Sequence, residues 1–486
     1  MNIASRLEEN SPTTLSSPKT WSESLVKSTL SELKVQRPIL LPLLLMNFTW
    51  FAKLTITTAF LGRLGELSLS GATLGFTFAN VTGFSVLNGL SYAVEPICGQ
   101  AFGAKNFRLL HKTLLMAATL LLFISLPIAL LWLNVDKILL HFGQEHDVSI
   151  VAKEYVVYLL PDLVITSFLC PLKIYLTAQN VTVPIMAATA LAVGLHVPLN
   201  VFLSKSMGIR GVSMAFWVTD FMILAMLCIY VVIQENRKGF HNLTGWWEQS
   251  GGDWVSLLKL AGPCCLTTCL EWWCYEILVL LTGNLPDAKE ALGVIAIVLN
   301  FDYLLFSVMQ SLSTCASVRV ANELGADAAA PAKISACVSL GLAAVSGVLG
   351  GAAMAGARGF WGALFTREKG IIVGVKKMML IVAVMEVVNF PVVVSGGIVR
   401  GTARPWLGTY ASVCGFYLLA LPLGVILAFK VHLGLAGLLT GFVAGVTVCL
   451  VVLVTFIARI NWEEESRKAQ ILASCAIDEA TNNDDQ

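Results

Sequence analysis

Gly262 to Leu281 reads GPCCLTTCLEWWCYEILVLL, twenty residues apolar enough to cross a bilayer that nonetheless carry two carboxylates, Glu271 and Glu276. An acid at the centre of a membrane span costs about 2.5–3.5 kcal/mol on insertion scales, so it marks an ion pathway, a proton site or a buried partner. Five residues at about 100° each set the two carboxylates roughly 140° apart, on different helix faces and with different roles. Glu271, next to Trp272 and Trp273 and preceded in the span by Pro263, is the one placed in a cavity, where a carboxyl group loads and releases a proton. A carboxyl hydrogen-bonded to a neighbouring helix is the alternative, and it is the stronger alternative for Glu276 than for Glu271.

The whole chain has the same character. Its 486 residues are 56% hydrophobic with only 13% charged, against about 25% charged in soluble domains. A net charge of +1 without a long basic block excludes nucleic acid as a partner. The twelve cysteines recur in no metal-binding spacing, and four of them, Cys264, Cys265, Cys269 and Cys274, sit inside the quoted span as small packing residues.

Apolar runs of spanning length lie at about 38–61, 71–97, 113–133, 155–178, 183–203 and 211–233, and again at about 257–281, 291–316, 334–356, 375–399, 407–429 and 434–458. They predict an all-α polytopic membrane protein of twelve transmembrane helices in two pseudo-symmetric six-helix lobes, 38–233 and 257–458. A polar connector, 234–256, with an interfacial Trp246–Trp247 pair joins them. Residues 1–37 read as a mostly disordered tail, of which Thr20 to Arg37 suits a short surface helix, and 459–486 as a charged tail.

The two halves repeat. Gly71, Gln100 and Gly103 fall 222 residues before Gly293, Asn322 and Gly325, so GQAFGA and ANELGA hold equivalent places; later, Pro184 matches Pro405. Six spans per half give parallel repeats about an axis along the membrane normal, flanking a central cavity. Lys105, Arg108, Lys112, Arg237, Lys238, Arg319, Lys333, Arg400 and Arg404 fall on the side of both termini, which the positive-inside rule makes cytosolic, so both tails and the connector are expected there. Arg358, Arg367 and Lys369 run against that bias. Pro184 and Pro391 stand within repeat-related spans, where a missing backbone bond either hinges a helix or is packed around.

Four stretches resemble the multidrug and toxic compound extrusion (MATE) family, specifically its plant detoxification-type efflux carriers: FLGRLGELSLSG (60–71), EPICGQAFGA (95–104), CLEWWCYEILVLLTG (269–283) and SVRVANELGA (317–326). The resemblance covers roughly 36 to 460. It implies the MATE fold, export of small organic molecules by alternating access in exchange for protons or sodium, and a proton-coupling role for Glu271. Many family members carry an acid in the first helix where this chain has Thr57. A tenth-helix aspartate of other plant members falls at Asn389, with Glu386 one turn before it. Glu386 and Asn389, at i and i+3, share a face and are expected to hold a proton jointly with Glu271, a satisfied structural pair being the alternative.

Lys53, Asn80, Asn180, Asn200, Trp272, Asn300 and Gln310 are candidates for the substrate cavity, the amides alternatively bridging helices. Glu95, beside Pro96 at a helix end, is a gating candidate with Arg63 or Lys105 as partner, and solvent is expected to reach it. His196 reads as a hydrogen-bonded core histidine before a transport group. The sequon at Asn242 falls on the cytosolic side and is not expected to be glycosylated. No Walker A loop, HExxH or G-x-S-x-G elbow occurs in its required context, so the chain is expected to be neither ATP-driven nor an enzyme, without cofactor or metal. The expected partners are a small organic substrate, protons as coupling ion and membrane lipid, with the protein a monomer in a plasma, vacuolar or endosomal membrane. A flippase for a lipid-linked or amphipathic substrate is the alternative, and its cavity would be lined by several cations, of which Lys53 is one.

Overall fold

The computed structural model describes residues 18–237 and 251–484. Trp246–Trp247, Asn242 and the first seventeen residues of the N-terminal tail lie outside them. Among the described residues, eleven helices are long and apolar enough to cross a membrane. In the first half these are α1 (Pro18–Arg63), α5 (Phe107–Leu133), α7 (His146–Ala178), α8 (Val183–Met207) and α9 (Ile209–Arg237).

The twelfth span is present but broken. Where the apolar run 71–97 predicts one helix, the chain forms α2 (Glu66–Ala79), a π-helical turn (Asn80–Phe84), α3 (Ser85–Ser91) and α4 (Val94–Gly103). Trp132 of α5 explains the first break: its indole N–H donates to Thr82 at 3.0 Å, its ring meets Phe84 edge-on at 5.5 Å, and it packs so closely on Gly83 that no Cβ fits there. Backbone spacing widens to seat the ring, as π turns do. Trp132 is fully buried, so Trp132→Ala is expected to cost about 3–5 kcal/mol, read as a lowered unfolding temperature in detergent micelles.

The second half holds α10 (Gly251–Thr282), α11 (Ala288–Gly325), α12 (Ala329–Ala357), α14 (Lys369–Gly401) and α17 (Gly434–Ala458). A span from Pro405 to Lys430 completes it, made of α15 (Pro405–Ser412) and α16 (Leu421–Val425), each followed by a π-helical stretch. Short α6 (Val135–His141) and α13 (Trp361–Phe365) cap loops in the two halves. One apolar core, from Cys274 to Ala469, fills the second half, while the first half holds two, from Leu61 to Phe216 and from Ala93 to Ala261, the latter taking in Leu257 and Ala261 from the start of α10. Lipid exerts no hydrophobic pull between helices, so close approach of small residues matters more. Gly437, Gly441 and Gly445 accordingly form a stripe on α17 against which the backbone of residues 420–428 lies directly.

The helix expected over Thr20 to Arg37 is present, but it runs on from Pro18 into the first span and docks buried side chains on the second half instead of lying on the surface. Glu32 chelates Arg319 of α11 through Nε at 3.0 Å and Nη2 at 3.1 Å, and Gln36 donates to Ser339 at 3.1 Å. The charged C-terminal stretch forms α18 (Trp462–Asp484). Glu465 pairs with Arg404, Ser466 donates to Asp327 at 2.8 Å and Gln470 to the Gly325 carbonyl at 2.5 Å, all in the second half. Asn106, which caps α5 in the first half, donates to the Ala473 carbonyl at 2.6 Å, so α18 straps the two halves together. Arg319 and Arg400, counted as loop charges in the orientation argument, are helical and paired instead.

The halves meet at their matched motifs. A Cβ on Gly103 would run into the backbone of Asn322 and Gly325, and a Cβ on Gly325 into that of Gln100. Residue i touches j' and j touches i', the reciprocal pattern of a two-fold contact. Gln100 seals it by donating to the Gly401 carbonyl at 3.2 Å. Together with α18 these contacts close the molecule on the side of its termini.

Candidate functional site

Between the halves lies a cavity of about 270 Å³ whose wall includes Glu271 and Trp272 from α10, Asn80, Asn88 and Tyr92 from the broken span, Gln310 from α11 and Arg400 from α14. A second space of about 180 Å³ shares Asn47, Trp50, Asn88, Tyr92 and Gln310 with it and reaches Glu95 and Lys173. The broken span supplies much of this wall because irregular backbone in a membrane is tolerated where it lines a cavity. Aromatic faces and amides alternate around it: Trp272 packs edge-on against Phe306 at 5.4 Å, Gln310 donates to the Tyr92 hydroxyl at 2.7 Å, and Asn47 donates to Ser311 at 2.7 Å. Such a lining holds a flat, mostly apolar molecule with a few polar edges.

Of the cavity candidates, Asn80, Trp272 and Gln310 line this space. The other four do not. Lys53 is turned into the first half, where its ammonium bonds Asp220 of α9 at 2.7 Å and sits 3.5 Å over the Phe216 ring. Burial explains the pairing, since an ammonium at that depth has no cheaper neighbour than a carboxylate. Asn180 adopts φ 61 in the turn after α7 and is exposed, a left-handed position that asparagine tolerates well. Asn200 is fully buried against His196, and Asn300 bonds its own helix at the Ala296 carbonyl, 3.0 Å away. His196 is a core histidine, bonded to Thr57 at 3.0 Å and Thr219 at 2.7 Å.

Glu271 is partly exposed into the cavity, and Arg400, whose charge acts on it, stands on the same cavity wall. Glu386 and Asn389 stand together but behind the wall. Glu386 is fully buried and faces Asp302 of α11 as well as Asn389, forming a carboxyl pair that the cavity does not touch. Tyr275, one turn beyond Glu271 on α10, lies near enough to Glu271, Asp302 and Glu386 to feel the charge of each.

Glu95 departs from expectation in both partner and setting. It is 1% exposed, and it pairs with Arg400 at 2.5 Å rather than with Arg63 or Lys105. Its helix end is buried at the contact between halves, and only the edge of the second space touches it, so it is not the solvent-exposed helix-end acid expected. Pro184 occupies the first turn of α8, where a proline lacks only a hydrogen bond the helix would not make. It starts a helix and bends none, as Pro405 does in the second half. Pro391 is a true interior proline of α14.

Five functional-looking groups escaped the sequence reading: Asp162, Lys173, Asp220, Asp302 and Arg400. The first four are charges inside apolar runs, the signal that singled out Glu271. Asp162 is buried beside Asp220, so the first half does contain acids although Thr57 is none. No group of three possible metal ligands occurs among the described residues.

With the geometry in hand, the chain can be set beside known proteins. The MatE family model matches residues 42–202 and 263–426, one stretch in each half. Protein DETOXIFICATION 56 of Arabidopsis thaliana is 58% identical over 463 residues, 95% of this chain and 94% of that one. Protein DETOXIFICATION 49 of the same organism is 40% identical across 94% of this chain and 92% of its own length. Among solved structures, the eukaryotic MATE transporter AtDTX14 superposes with a TM-score of 0.85 at 29% identity, covering 92% of this chain and all of that one.

Proposed function

The chain belongs to the MatE family of efflux transporters, and from that premise we propose that it is a proton-coupled antiporter exporting small organic molecules by alternating access, with Glu271 as the proton carrier. The observation that carries this reading is a single carboxylate facing the cavity between the halves, opposite one arginine. Protonation of Glu271 removes a charge from the cavity wall and favours the state that releases substrate outward; deprotonation favours reloading. Glu386 and Asn389 act at one remove, through Tyr275. Strapped termini and the Gly103–Gly325 contact belong to the state closed towards the cytosol. The lining suits xenobiotics, secondary metabolites or hormones with an aromatic body, and the membrane is the plasma membrane or an endomembrane such as the vacuole's. The protein works as a monomer and is not an enzyme. The flippase alternative loses Lys53, which Asp220 engages and which lines neither space, and keeps Arg400 on the cavity wall and Lys173 in the adjoining space, fewer cations than a lipid-linked anionic substrate calls for.

Vesicles with and without the protein, loaded from a mixed metabolite extract under an imposed pH gradient, test the reading. Accumulation is expected to follow the pH gradient and ignore a sodium gradient; dependence on sodium instead would overturn it. Pro391→Ala is expected to lower turnover several-fold with substrate binding little changed, because an interior proline frees a backbone carbonyl and eases bending. Unchanged turnover would leave Pro391 a packing role only.

A further inference from the structure

The cavity and the closure on the terminal side share one residue. The Nε of Arg400 donates to Glu95 at 2.5 Å, its guanidinium lies 4.5 Å over the Tyr92 ring, and its remaining exposed surface lines the cavity that holds Glu271. Glu95 comes from α4 in the first half, whereas Arg400 and Glu271 come from α14 and α10 in the second. One cation therefore has a carboxylate across the interface and another on its own side.

We propose that Arg400 is the positioning residue that transmits the protonation state of Glu271 to the contact between the halves. This rests on the reading of Glu271 as proton carrier. Charge-assisted hydrogen bonds of arginine to carboxylate are about twice as strong as neutral ones, so a second carboxylate on the same cavity wall competes for the guanidinium once that side chain swings inward. While Glu271 is neutral, Arg400 belongs to Glu95 and holds α4 against α14. Once Glu271 ionises, it draws the guanidinium towards the cavity. Glu95 then keeps no paired cation, with Ser317 beside it and Tyr92 and Lys173 in the same second space, and its Oε1 already lacks a hydrogen-bond partner. A buried carboxylate deprived of its cation is strongly destabilising, and parting the halves to admit water relieves it. The same step unloads Gln100 and the Gly103–Gly325 contact, which lie farther along α4 and α11.

The sign of the pH effect identifies the sensor. Arg400 is faced by Glu95, Tyr92, Cys264 and Glu271, and Glu271 by Arg400 with Tyr92, Cys274, Tyr275 and Cys449 around it. Phenols and thiols ordinarily titrate above neutrality, which leaves the two glutamates. Acid acting on Glu271 tightens the closure. Acid acting on Glu95 would loosen it.

Spin labels on unnatural amino acids replacing Lys105 and Lys333, both exposed on the terminal side, report the opening by double electron–electron resonance in nanodiscs. Passing from mildly alkaline to mildly acidic medium is expected to raise the ratio of short to long distances about tenfold, within the range typical of coupled sites. Glu271→Gln is expected to stay in the short-distance state at either pH. Arg400→Gln is expected to lose the pH response, and Arg400→Lys to keep a reduced one. Should Arg400→Gln fail to fold, Arg400→Gln with Glu95→Gln removes the unpaired acid and is expected to fold without a pH response. Wild-type pH response in Glu271→Gln or in either Arg400→Gln background would overturn the proposal, as would opening on acidification. These distances need no substrate, so a normal response without pH-driven accumulation would count against the antiport reading alone.

Discussion

Glu271→Gln is expected to bind substrate and yet show pH-gradient-driven accumulation lowered by about a hundredfold or more, the lower end of what a positioned proton-transfer group contributes. The amide copies the neutral acid in size and hydrogen bonding but never releases a proton. Among the described residues no second acid stands on that cavity wall to replace it: Glu386 and Asp302 lie behind, and Glu95 is held by Arg400. Thr57→Ala, by contrast, removes hydrogen bonds to the Lys53 carbonyl and His196, a loss of about 1 kcal/mol each in stability, and should leave coupling largely intact. Substrate flux in reconstituted vesicles separates the two variants. Normal accumulation by Glu271→Gln would remove it from the coupling role.

Lys53→Met is expected to destabilise the folded protein by about 3–5 kcal/mol, because it strips a buried cation from Asp220 and leaves that acid beside Asp162. Phe216, on which the ammonium rests, gains a methionine contact that repays little of this. Adding Asp220→Asn is expected to recover most of the loss, since it removes the orphaned charge. Thermal unfolding of both variants in detergent measures the difference. Equal melting of Lys53→Met and the wild type would mean that water or Asp162 already satisfies Asp220.

The spans were legible because about twenty apolar residues in a row have few other uses, and the repeat because glycines at a fixed offset mark equivalent close contacts. What no run of residues announces is who pairs with whom. Lys53 finds Asp220 across 167 positions and Arg400 finds Glu95 across 305, so the lysine read as a cavity residue and the arginine as a loop charge. Glu271 was recognisable from its own span. Asp302 sat in an equally apolar run and passed unnoticed, and with it the carboxyl pair around Glu386. The break at Asn80–Phe84 was hidden for another reason: hydropathy registers composition, whereas Trp132 acts on that turn through shape and a single hydrogen bond.

The reciprocal contact between the halves bears on how such a molecule could arise. Glu95 lies beside Ser317, its own counterpart at the offset of the repeat, so an approximate axis passes between them. In a dimer of identical subunits that place holds two copies of one residue. A pair of glutamates there would repel, and a pair of serines would attract no arginine. Joining two copies into a single polypeptide frees each side to mutate alone. Identical subunits cannot keep one acid and one hydroxyl at a shared axis, so the Glu95–Ser317 difference, and the one-sided pairing of Glu95 with Arg400, is available only to two halves joined in a single polypeptide.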